Sequence, residues 1–165
     1  MSGGKRLPKE TLMQRMSLCT SNPAVPRIAG ERMLEWMNIQ KDRRFFYCTD
    51  ADAEPCRCPA CTAADLLPYY TTDRNLAWVN AVARAVRAAH PEKELFAIAY
   101  GSTVKPPLRE KLEPNVRILF APWYWTTAGM RYDDWAHPRN VTAMEEFMGW
   151  AIRFPGRMGV YDYPG

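Results

Sequence analysis

Short apolar runs set between longer amphipathic stretches constrain this chain more than any other feature. The runs lie at 45–48, 95–100, 116–121 and 158–163. They have the length of strands and are bounded by turn or charged residues, as buried strands are. Helical spacing fills the gaps between them. Val25, Ile28, Ala29, Met33, Trp36 and Met37 recur over 23–38, behind the Ser21-Asn22-Pro23 start signal. Thr72-Asp73 caps a second stripe, Leu76, Val79, Val82, Ala83, Val86 and Ala89, which His90-Pro91 ends. Asn140 caps a third, Val141, Met144, Phe147, Met148, Ala151 and Phe154, which Pro155-Gly156 stops. Residues 108–112 read as a short helical turn, and 16–19 as the end of a further strand. Such alternation predicts a parallel sheet with right-handed crossovers.

No strand is followed by a glycine-rich phosphate loop, so a nucleotide-binding fold has no support. The strand ends carry acids and aromatics instead, as at the C-terminal face of a (β/α)8 barrel. A complete barrel takes about 250 residues and each βα unit roughly 30. A chain of 165 residues therefore holds about five units. The expected fold class is α/β, a partial (β/α)8 TIM barrel over 17–165 behind a loop-like start at 1–16.

A net charge of +4, with Lys and Arg scattered rather than striped, gives no footprint for nucleic acid. No apolar stretch reaches the 18 or so residues of a membrane span. The first residues lack the apolar core of a signal peptide. A chain with these ends stays in the cytoplasm unless a longer parent protein carries it to the periplasm or outside the cell.

The stretch from Phe45 to Cys61 concentrates the chemistry. Its strand runs into Asp50, Asp52 and Glu54, then into Cys56-Arg57-Cys58-Pro59-Ala60-Cys61. Three thiols within six residues suit a metal such as zinc, with Cys48 or Cys19 as the fourth thiolate. A disulfide that staples the loop is the competing structural reading, and a redox role is the third.

Several segments taken together carry a resemblance. They are Leu18-Cys19-Thr20-Ser21-Asn22-Pro23, the Cys56 to Cys61 cluster, Trp78-Val79-Asn80 in a helix ending in His90-Pro91, and Ala99-Tyr100-Gly101-Ser102-Thr103 with Pro106-Pro107. Pro114-Asn115-Val116 and Tyr161-Asp162-Tyr163 complete the set. From about residue 17 to its end the chain resembles the bacterial domain-of-unknown-function family 4838, a group of glycoside-hydrolase-like barrels. The resemblance implies a barrel related to α-glucuronidase-type and hexosaminidase-type glycosidases, a carbohydrate partner, and further barrel strands outside this chain.

Glycosidases set two carboxyl groups across the scissile bond. Asp50 and Asp52 are the local candidates and Asp162 their partner from another strand end; the alternative is that they cap turns, as Asp often does. Tyr100, Trp123, Tyr124 and Tyr161 are candidates to stack on sugar rings, the alternative being core or loop packing. A non-catalytic carbohydrate-binding or metal-stapled module is the rival reading of the whole.

Overall fold

The computed structural model describes residues 17–50, 54–68, 70–122, 134 and 137–161. In chain order these form helix α1 (Ala24–Ile39), strand β1 (Phe45–Tyr47), a short helix α2 (Pro59–Ala64), helix α3 (Thr72–Ala89) and strand β2 (Glu94–Ala99). A 3-10 turn (Gly101–Thr103), strand β3 (Val116–Phe120), helix α4 (Pro138–Arg153) and strand β4 (Met158–Val160) follow. The strands lie side by side in sequence order, and every pairing is parallel.

Strand alternation divides the sheet into two unlike faces. On one, Phe46, Leu95, Ala97, Ala99, Val116, Ile118 and Phe120 are buried. They share a single core with Met33 and Met37 of α1, Leu76, Val79, Val82 and Val86 of α3, Ala143 and Trp150 of α4, and Phe154 just after α4. Each such side chain contributes about 1.5–3 kcal/mol when fully buried. Gly30 of α1 faces Ala85 of α3, where an added β-carbon would make ordinary van der Waals contact at 3.6 Å.

The opposite face carries Phe45, Tyr47, Phe96, Ile98 and Leu119 beside the ion-paired Glu94 and Arg117. Phe45 and Tyr47 are 41% and 43% exposed, and the Phe96 ring touches both. All three long helices contribute to the core on the first face. A doubly wound sheet has helices on both faces. Strands in sequence order with helices on one side are instead the arrangement of a barrel segment.

Three expectations are corrected. Residues 17–19 form no strand, and four strands are present among the described residues. The Leu18 N–H donates to the Asp50 carboxylate, and Cys19 accepts from the Asn22 N–H in the turn leading into α1. Residues 108–112 form no helical turn, because the N–H groups of Leu108, Arg109 and Glu110 all donate to Asp73. Helix α4 starts at Pro138, which places Asn140 inside its first turn, donating to the Asp134 carbonyl rather than capping. The start at 1–16 and the residues Asp52, Trp123, Tyr124 and Asp162 lie outside the described residues.

Candidate metal centre

The connection from β1 to α3 is long, and the thiols gather within it. Cys58 sits in extended backbone just before α2 with Pro59 at the first helical position, where a missing N–H is harmless. The Thr62 N–H donates to the Cys58 carbonyl and closes the first turn, which puts Cys61 on the same side as Cys58. Cys19 arrives from the turn before α1, 39 positions earlier in the sequence than Cys58.

The Sγ atoms of Cys19, Cys56, Cys58 and Cys61 all lie within 4.8 Å of one another. Cys19 Sγ is 3.7 Å from Cys58 Sγ and 3.8 Å from Cys61 Sγ. Four thiolates held about 2.3 Å from one tetrahedral ion stand about 3.8 Å apart, the spacing of Cys19 from Cys58 and from Cys61. A disulfide requires about 2.05 Å, and all five cysteines are free thiols. The arrangement fits a single ion with four sulfur ligands.

The choice of fourth thiolate is settled by position. Cys48 is 3% exposed within the hydrophobic core and stands apart from the group, while Cys19 joins it. Nearness in sequence makes Cys48 a candidate. It belongs instead to the buried side of the β1 pleat, and its N–H still pairs with the Phe96 carbonyl. Burial pushes its thiol up to about 12, which leaves it protonated and inert.

The clustered thiols are electrostatically unlike one another. Burial would push Cys61 up, but hydrogen bonds from the Ser21 hydroxyl and backbone N–H, and from Cys58 and Cys19, outweigh it and bring the thiol down to about 6. Cys19 goes the other way, to about 12, through burial and its hydrogen bonds to the neighbouring thiols. Burial likewise raises Cys56. An ion entering the group displaces the protons that these sulfurs hold, so uptake releases protons and strengthens with pH. Sequence reasoning missed Ser21; its place two residues after Cys19 was the available signal.

The other predicted site residues divide. Asp50, Tyr100 and Tyr161 follow β1, β2 and β4 at the same edge of the parallel sheet. Asp50 uses one carboxylate oxygen to accept the Leu18 N–H at 3.0 Å, next to Cys19 in the chain. The Tyr161 N–H extends the β3–β4 ladder by donating to Phe120. Trp78 is buried, with its indole N–H donating to Asn75.

Fold and site together define a parallel α/β protein with a four-cysteine centre beyond the C-terminal end of its first strand. Residues 1–164 match the family model described as a domain of unknown function (DUF4838), and the chain belongs to that family. No curated protein and no solved structure matches it.

Proposed function

We propose that Cys19, Cys56, Cys58 and Cys61 hold a structural zinc ion that fixes the long loop after β1 at the rim of a carbohydrate-handling barrel. The observation that carries the metal reading is the convergence of four Sγ atoms within 4.8 Å. An all-sulfur tetrahedral donor set selects zinc or iron, and one ion with four protein thiolates keeps no open position for water. Such a centre cross-links chain segments and performs no chemistry on a substrate. Metal analysis of the purified protein tests this: one equivalent of zinc is expected, with a lower melting temperature after chelation. Metal-free protein with five titratable thiols and a melting curve indifferent to chelator overturns it.

The carbohydrate reading is supported by the shared strand-end edge of Asp50, Tyr100 and Tyr161. In this reading Tyr100, Trp123, Tyr124 and Tyr161 offer faces and hydroxyls to sugar rings. Asp50 or Asp52 would then act with Asp162 as the carboxyl pair of glycosidic hydrolysis. Isothermal titration against a panel of oligosaccharides, run beside aryl-glycoside hydrolysis by the protein and by Asp50→Asn, is the test. Saccharide binding without hydrolysis reduces the reading to a binding module. No binding at all leaves a metal-stapled structural unit.

A further inference from the structure

We propose that Arg74 is the positioning residue of the metal centre, a guanidinium that sets the three ligand-bearing segments at the spacing the ion requires. This rests on the zinc reading above. Arg74 lies in the first turn of α3, is only 8% exposed, and carries none of the cysteines' chemistry. Its Nε donates to Asp65 Oδ1 at 2.5 Å, and Asp65 is the residue that ends α2, the helix holding Cys61. Its Nη1 donates to the Thr20 hydroxyl at 3.1 Å, one residue after the ligand Cys19. Its Nη2 donates to the carbonyl of Cys56, itself a ligand, at 3.2 Å.

Every segment that supplies a sulfur is thus bonded to one rigid, planar group. The geometry requires arginine. Five N–H donors in a fixed fork reach three acceptors in different directions, whereas a lysine ammonium is a point charge on a flexible stem. The guanidinium also brings a fixed positive charge to a region where an ion with four thiolates carries a net charge of about −2. Outer groups that orient metal ligands typically change affinity 10–100-fold when removed.

The experiment uses the whole chain. Zinc affinity is measured by competition with a chromophoric chelator, and cobalt(II) substitution reports the ligand field through its visible bands. Arg74→Ala and Asp65→Asn are expected to weaken zinc binding about 10–100-fold and to alter the cobalt spectrum, with Arg74→Lys recovering only part of the loss. Arg87→Ala, on the same helix and in an exposed ion pair with Glu113, is expected to stay within about twofold of the parent. If Arg74→Ala fails to fold, Arg74→Lys and Asp65→Asn carry the same criterion. Variants that bind zinc within about twofold of the parent with an unchanged cobalt spectrum overturn the proposal, even if both the loaded and metal-free forms melt lower. If the parent protein itself takes up neither ion, the zinc reading fails first; if it does and the variants match it, only the role of Arg74 fails.

Discussion

Asp73 shows how one carboxylate organises two distant segments. It sits in the first turn of α3, 2% exposed, and accepts the N–H groups of Leu108, Arg109 and Glu110 at 2.9, 2.8 and 2.7 Å. Burial pushes its carboxyl up, but those three donors outweigh it and hold the group below the usual carboxylate range. Glu94 is also held low, first by its hydrogen bond from Arg117, against burial, and then by Arg44. A depressed folded-state pKa means stability that is complete above the unfolded value of about 4 and lost as pH falls through the lower folded value. Stability is therefore expected to fall as pH drops below about 4, and Asp73→Asn should flatten that slope while lowering stability at pH 7 by roughly 2–4 kcal/mol. Urea titrations at a series of pH values read both effects. The sequence marks Asp73 only as a helix-start residue, because nothing local shows that its N–H donors lie 35–37 positions away.

In the zinc reading, the connection between β1 and α3 is ordered by its metal-bound thiols. Cys58→Ser is expected to abolish metal uptake and open residues 54–68 to proteolysis, read by limited digestion with and without zinc. Cys48→Ser should leave metal content unchanged and cost about 1–3 kcal/mol, since it buries a hydroxyl among apolar neighbours. A Cys48→Ser protein that loses its metal would contradict the assignment of Cys19. Three of the four clustered cysteines were legible from their spacing, because a local pattern shows up in a local window. The fourth was not, since only the tertiary path of the chain decides between Cys19 and Cys48. The same limit applies to α2 and the turn at Gly101–Thr103, too short for periodicity to register.

The sheet as a unit was the most legible part of the molecule: strand identity, parallel pairing and neighbour order all follow from alternation of the two periods. Its one-sidedness did not follow, because hydrophobic runs look alike whether helices cover one face or both. That second face bears Phe45, Tyr47, Phe96, Ile98 and Leu119, and among the described residues β1 and β4 are the outermost strands of the sheet. Exposed apolar faces and free edges drive association. The purified chain is expected to self-associate in a concentration-dependent way, and Phe45→Lys to reduce this by several-fold in light scattering while shifting the melting temperature little. A strictly monomeric, cooperatively melting chain would show that the open face carries no such liability.

The path of the chain through the cysteines is also a ring. Joining Cys19 to Cys58 through one ion closes a circuit of 39 positions that contains all of α1 and β1. A covalent closure of that size removes about 4 kcal/mol of disorder from the unfolded chain in the loop-entropy account. β1 is three residues long and lies at the sheet edge, so it has little hold of its own. In the zinc reading, the ring makes the attachment of the first strand a function of metal supply. When the clasp opens, amides at 46–48 should exchange with solvent long before those of β2 and β3, and the molecule comes apart from that end first.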